Sequence, residues 1–186
     1  MKIPNEKIVQ AALQVFMRYG IRRTTMNDIA REAGLVRQTL YTVYSGKDEV
    51  LCATIRYFSD QMQQEVAAQW QQAENLGEKL DIYFEQSIVA SFRMIRASPE
   101  AVDMINGYSA AGKAEIRRGQ ARKTDALAGI LQPFEAAILA AGLSVSQFAA
   151  FIQSAALGLR NSAEDEAELA ELLAALRASV LSLTGG

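Results

Sequence analysis

The sequence predicts an all-α fold, with a head of short helices in the first fifty residues and a body of longer helices behind it. Three observations point there. Only three prolines interrupt 186 residues, half of the chain is hydrophobic and 22% charged, and Ala, Leu, Gln and Glu are plentiful. Apolar residues recur at helical spacing through most of the chain. Between those stripes stand Gly, Ser, Thr and Asp, where helices start and stop.

In the head, Ile8, Ala12, Val15, Phe16 and Tyr19 line one stripe of a helix over residues 5–19, which Gly20 ends. Arg22 and Arg23 follow in the connection. Thr25 starts a second helix, with Asp28 at the reciprocal position of a capping box and Ile29, Ala30 and Ala33 facing inward. Gly34 ends that helix, Leu35 fills the gap, and a third helix covers 36–41, reaching 43 at most. Ser45 caps a fourth, with Asp48 three residues on. The helices over 25–33 and 36–43, joined through Gly34, have helix-turn-helix proportions. A plain three-helix bundle shares this outline, so the outline alone assigns no role.

In the body, residues 52–74 extend the fourth helix or pair it with another. Residues 77–97 form an amphipathic helix with Leu80, Phe84, Ile88, Phe92 and Ile95 inside. Ser98-Pro99-Glu100 reads as an N-cap, a first-turn proline and an acidic first turn. Residues 106–112 break or bend the chain, and 113–141 form a long helix kinked at Pro133. Ser144 caps a helix over 145–160. Ser162 caps the last helix, whose Glu164-Asp165-Glu166 turn suits the positive end of its dipole, and 184–186 fray. The basic run Lys113, Arg117, Arg118, Arg122, Lys123, interspersed with Glu115 and Asp125, reads as a solvated helix face. No internal repeat is present.

Several chemistries are excluded. The chain has no histidine and one cysteine, Cys52, which rules out Ser-His-Asp and Cys-His catalysis, His-ligated zinc or haem, and thiolate clusters. No pair of carboxylates stands in a setting that suggests an enzyme, and no metal or cofactor is implied. The N-terminal residues show no targeting signal, and no apolar run is long enough to span a bilayer. With no internal disulfide possible, the expected location is cytoplasmic and no membrane partner is expected. The net charge is −2, but it is unevenly spread: residues 1–50 carry eight bases and five acids, the remainder 11 bases and 16 acids. A basic head on an acidic body is the asymmetry expected when only the head meets phosphate.

The run Thr24-Thr25-Met26-Asn27-Asp28-Ile29-Ala30-Arg31-Glu32-Ala33-Gly34-Leu35, followed by Thr39-Leu40-Tyr41, Tyr44 and Lys47-Asp48-Glu49-Val50-Leu51, resembles the tetracycline-repressor (TetR) family of bacterial regulators. The shared features are Asp-Ile-Ala, Ala-Gly, Leu-Tyr, an aromatic three residues later and the lysine that opens the fourth helix. The resemblance covers about residues 5–55; the rest fits only as a helical body of suitable length. It implies a helix-turn-helix DNA-binding domain over 1–50 and a helical ligand-binding and dimerisation domain over 51–186. It further implies a homodimer on a palindromic double-stranded operator, a small-molecule inducer held in the body, and repression as the commonest outcome.

Residue by residue, base reading falls to Arg37, Gln38, Thr39 and Thr42. Arg can bind guanine, and Gln adenine, with two hydrogen bonds each. Phosphate contacts fall to Thr25 at a helix N-terminus, to Tyr41 and Lys47, and to Tyr44, whose ring reads as core with its hydroxyl available for phosphate. A cation at the start of a helix is unfavourable for the dipole, and a phosphate partner would explain Lys47. Arg22 and Arg23 are weaker phosphate candidates. Two positions leave the family pattern: Val36 stands where Ser or Thr usually caps the recognition helix, and Val43 replaces a polar or aromatic residue, either to touch thymine methyls or sugars or to pack. Candidates for holding the inducer are Tyr83, Phe84, Arg93, Met104, Asn106, Tyr108 and Phe148, which suit a modest apolar or amphipathic molecule. The last two helices suit dimerisation, through Phe148, Ala155, Gly158, Leu169, Leu172, Leu173, Leu176 and Val180. The rival readings are a helical small-molecule-binding or scaffold protein without operator binding, and an all-helical enzyme. Arg37, Gln38, Tyr41 and Lys47 together argue against the first rival, the absent histidine against the second.

Overall fold

The computed structural model describes residues 5–98 and 100–185, and among them finds helices and turns with no strand. The roles expected of the first four residues, of Pro99 and of Gly186 lie outside the described residues. The helices are α1 (Asn5–Arg23), α2 (Met26–Glu32), α3 (Arg37–Tyr41), α4 (Lys47–Trp70), α5 (Leu76–Phe84), α6 (Ala90–Ala97), α7 (Ala101–Ile105), α8 (Ala110–Leu131), α9 (Glu135–Ala140), α10 (Val145–Ser162) and α11 (Glu166–Thr184). A π-helical turn, Glu85–Val89, joins α5 to α6, and a 3-10 turn, Gln132–Phe134, joins α8 to α9.

The local signals act as expected at most corners. Gly20 has φ 76° inside α1, so the regular helix breaks there, and Gly34 has φ 64° after α2; both conformations are cheap only without a Cβ. Thr25 and Asp28 form the capping box, as do Ser144 and Gln147 at the start of α10. The chain breaks at Pro133, and again at Gly107 and Tyr108, between α7 and α8. Three cap assignments are corrected. Ser45 gives its N–H and hydroxyl to Glu49 rather than pairing with Asp48. Ser98 donates its hydroxyl to Met17 O, leaving the N-cap of α7 to Glu100. Ser162 ends α10, and Asp165, whose side chain accepts from Glu168 N, caps α11.

The chain forms two compact units, each assembled from two stretches: Met1–Gln61 with Met94–Gly119, and Met62–Arg93 with Gln120–Gly186. In the first, Ile8, Ala12 and Phe16 of α1, Ile29 of α2, Leu40 of α3, and Val50, Leu51 and Ile55 of α4 share one core with Met104 of α7. Polar ties hold it at the rim: Arg23 reaches Glu100 at 3.0 Å, and buried Glu115 accepts from Arg56 at 2.5 Å and from Arg118 at 2.9 Å. The basic run of α8 is therefore not wholly a solvated face, because its Glu115 is 7% exposed.

In the second unit α10 packs against α11, α9 and the π turn, and α11 against α5 and α9. Its core joins Leu80, Tyr83, Phe84, Ile88 and Phe92 to Leu127 and Leu131 of α8, Phe148, Ile152 and Ala156 of α10, and Leu169, Leu173, Leu176 and Val180 of α11. Trp70 Nε1 donates to Lys79 O at 2.8 Å, closing the link between α4 and α5. Among the described residues no single helix is long and apolar enough to cross a membrane.

Candidate nucleic-acid interface

The short helix α3 is held by one buried residue. Leu40 is fully buried in the core of the first unit, and this orients the opposite side of the helix outward. Arg37, Gln38 and Thr42 are exposed there, Thr39 is half-buried, and Tyr41 is 42% exposed. The Arg37 guanidinium lies over the Tyr41 ring, 5.4 Å from its centroid, and donates to the Tyr41 hydroxyl at 3.3 Å. The two side chains thus hold each other across one helical turn and present a cation beside an aromatic rim. Thr42 gives its hydroxyl proton to Thr39 O at 2.7 Å, which leaves its lone pairs and methyl facing out.

The two departures at this surface resolve differently. Val36 is the N-cap of α3, makes no side-chain cap bond and is 72% exposed, an apolar group set where a thymine methyl could be met. Val43 is half-buried against the core and packs instead.

At the edge of α2 the Thr25 hydroxyl donates to Asp28 Oδ2 at 2.7 Å and accepts from Asp28 N at 3.3 Å. The Thr25 hydroxyl and backbone N–H bonds hold the Asp28 carboxyl below its ordinary range. Thr25 is exposed, so it keeps a place on the surface, but its hydroxyl already serves the cap.

Two of the expected phosphate contacts are tied into the protein itself. Tyr44 is 7% exposed and packs into the core, and burial raises its hydroxyl's pKa. Lys47 turns inward: its ammonium donates to Ile21 O at 2.6 Å, Thr24 O at 2.9 Å and Arg22 O at 3.2 Å. These carbonyls follow the break at Gly20, where the regular ladder of α1 has ended. A cation at the start of α4 is thus explained by the unsatisfied carbonyls it meets, without a phosphate. Arg23 is likewise engaged, with Tyr19 O at 2.7 Å and Glu100, whereas Arg22 is exposed with no side-chain partner among the described residues. Lys47 could have been read as a tie from the sequence only by knowing that α1 breaks near the start of α4, a long-range fact.

The residues expected to hold a small molecule fall in both units. Tyr83, Phe84 and Phe148 lie together in the core of the second unit. Met104, Asn106 and Tyr108 belong to the first unit, where Met104 packs in the core and the other two are exposed. Arg93 is no anchor in an interior: it is about half exposed and forms a surface pair with Glu166 and Glu85. The sequence reading missed Gln120, Lys123, Gln153 and Arg160 of the second unit. On α8, Gln120 and Lys123 stand among other polar residues, Glu115 included, so no local signal set them apart.

The residues expected at a dimer interface separate in the same way. Phe148, Leu169, Leu173, Leu176 and Val180 are at most 9% exposed and fill the core of their own subunit, so their side chains are not available to a second copy. Gly158 is exposed, and Ala155 and Leu172 are half-buried. Phe151, stacked on Phe148 with ring centroids 6.4 Å apart, is 58% exposed.

The sequence model of the bacterial regulatory proteins of the tetR family matches residues 8–54 of this chain, which hold α1 to α3 and the start of α4. The head of the chain therefore carries the sequence pattern of the TetR-family DNA-binding region. This head is 41% identical, over 54 residues, to an uncharacterised helix-turn-helix transcriptional regulator of Pseudomonas putida, TtgW; the stretch is 29% of this chain and spans 40% of that relative's length. Solved structures share the whole fold. The fatty acid degradation regulator FadR from Bacillus halodurans superposes with a TM-score of 0.71 at 19% identity, over 100% of this chain and 97% of the other. FadR from Bacillus subtilis, in complex with stearoyl-CoA, gives 0.64 at 18% identity, over 96% of each chain.

Proposed function

We propose that this protein is a TetR-family regulator, a ligand-responsive, sequence-specific DNA-binding transcriptional regulator. It acts as a homodimer and represses until a small apolar or amphipathic inducer releases it from a palindromic operator. The observation that carries the reading is the outward face of α3. One buried leucine fixes a five-residue helix so that Arg37, Gln38 and Thr42 stand exposed together, with Tyr41 beside them. Such a surface has no structural purpose in a scaffold. It offers the two side chains best suited to bidentate base reading on a helix short enough for a major groove.

The DNA-reading part lies within residues 1–50, inside the first compact unit, and the helical remainder carries ligand and dimer contacts. Arg37, Gln38, Thr39 and Thr42 read bases; Thr25, Tyr41 and Arg22 meet phosphate. The dimer forms through the outer faces of α10 and α11. On α10, exposed Ala150, Ser154 and Gly158 repeat every fourth residue beside Phe151, and on α11 exposed Ala170, Ala174 and Ala178 do the same. Small residues in such rows let helices approach closely, and a two-fold axis would set the four helices together. Bacillus subtilis FadR, of the same fold, was solved with stearoyl-CoA, which supports a ligand in the helical body here. In that role the protein works in the cytoplasm.

Selection of bound duplexes from a random pool tests the reading. An enriched palindrome, bound with an affinity that falls steeply with salt, is the expected result. Enrichment of no sequence at low salt would overturn it.

A further inference from the structure

The second unit buries polar groups that nothing among the described residues satisfies. Tyr83 is 2% exposed and its hydroxyl has no hydrogen-bond partner. Gln153 is 4% exposed; its amide nitrogen donates to Gln120, and its Oε1 is buried and unpaired. Lys123, one turn beyond Gln120 on α8, is half-buried and has neither a hydrogen bond nor an ion pair among the described residues. Arg160, two turns beyond Gln153 on α10, donates to Ser91 Oγ at 3.2 Å and to its neighbour Asn161, and among the described residues no carboxylate pairs with it. Burial, and then repulsion from Arg160, pull the Lys123 pKa from 10.5 down to about 8, and burial lowers that of Arg160.

Native interiors seldom leave several polar groups unmet, and desolvated cations are normally paired. Here two cations near each other share one unit with an unpaired phenol and an unpaired amide oxygen. The bonds Gln120–Gln153 and Arg160–Ser91 link α8 to α10 and α10 to α6, so three helices contribute to this polar interior. Around it the same unit supplies Phe84, Ile88, Phe92, Leu127 and Ile152. The π turn joins α5, which carries Tyr83, to α6, which carries Ser91, and such turns are frequent at functional sites.

We infer that the effector of this protein is an amphipathic anion, an apolar chain ending in a carboxylate or phosphate, whose head is received by Lys123 and Arg160 with Tyr83 as a further donor. This rests on the reading of the helical body as an effector domain and adds the chemistry of the ligand. The head supplies the missing counter-charge and acceptors for the ammonium, guanidinium and phenol. The chain lies against the apolar side chains. A neutral ligand would leave both cations uncompensated.

Calorimetric titration of the full chain, without DNA, with dodecanoate, dodecyl phosphate and dodecanol tests the inference. At least one of the two anions is expected to bind on the order of 10-fold or more tighter than the alcohol, and the tighter anion identifies the head group. Lys123→Met keeps the aliphatic stem, removes a desolvated charge and should fold at least as well as the parent. It is expected to weaken the anions on the order of 10–100-fold and leave dodecanol unchanged. Dodecanol binding as tightly as the anions, or anion binding within twofold in Lys123→Met, overturns the anionic ligand while leaving an effector domain standing. Binding of none of the three overturns both.

Discussion

Replacing Lys47 with methionine separates two roles for one side chain. In the structure its ammonium meets three carbonyls, of Ile21, Thr24 and Arg22, at 2.6, 2.9 and 3.2 Å. Hydrogen bonds involving a charged group contribute about 1.5–3 kcal/mol each. These three share one ammonium, and the contact to Arg22 O is exposed, so the sum falls well short of three full contributions. A loss of about 3 kcal/mol is expected, with the stem's packing retained by methionine. For a chain of this size that is roughly 6–12 °C in the unfolding midpoint, read by circular dichroism. DNA binding, measured at a temperature where the variant is folded, should keep its salt dependence, because no phosphate contact has gone. A phosphate contact would instead lower the slope of log K against log salt by about 0.9 per contact. Unchanged stability together with that lower slope would refute the tie between α4 and the end of α1 and restore Lys47 as a DNA contact.

Other outcomes follow from the same geometry. Arg37→Ala should relax preference at one base pair by about 1–3 kcal/mol, measured by selection against the parent profile; a uniform loss across all sequences would assign Arg37 to phosphate instead. Phe151→Glu should yield folded monomers in sedimentation experiments, since the ring is exposed, whereas Leu176→Glu should unfold the second unit, since that side chain is internal; a dimer surviving Phe151→Glu would move the interface elsewhere. Lys123 makes stability depend on pH. Between about 8 and 10.5 the unfolded chain holds a proton that the folded chain has released, so stability rises through that window. Lys123→Met should therefore be the more stable chain below pH 8, by at most about 3 kcal/mol, and the parent should close on it by pH 10.5 in denaturant titrations. A gap constant with pH would show that the ammonium is solvated.

Much of the head was legible because its signals are local. Thr25 with Asp28 and Ser144 with Gln147 act across three residues, and Gly20, Gly34 and Pro133 act through their own backbone. The failures involve choices between neighbours that local sequence does not rank. Ser45 had acids three and four residues on and took Glu49. The start of α11 offered Ser162 and Asp165, and the helix took the aspartate.

The sequence by itself determined that the chain is helical, where most helices begin and end, and that its first fifty residues hold a helix-turn-helix with Arg37 and Gln38 on the outer face of α3. Those outcomes rest on contacts within one or two helical turns. Tertiary structure alone decided which apolar stripes face inward and which polar groups are stranded. The leucines of α11 repeat identically whether they meet their own subunit or a second copy, and packing against α5 and α10 settled it. Tyr44 set its ring in the core, as read from the sequence, while Lys47 turned to the broken end of α1. Lys123, one cation in what read as a solvated run, was drawn inside beside Arg160, because burial depends on which helices close over a residue, and near-neighbour chemistry does not encode that.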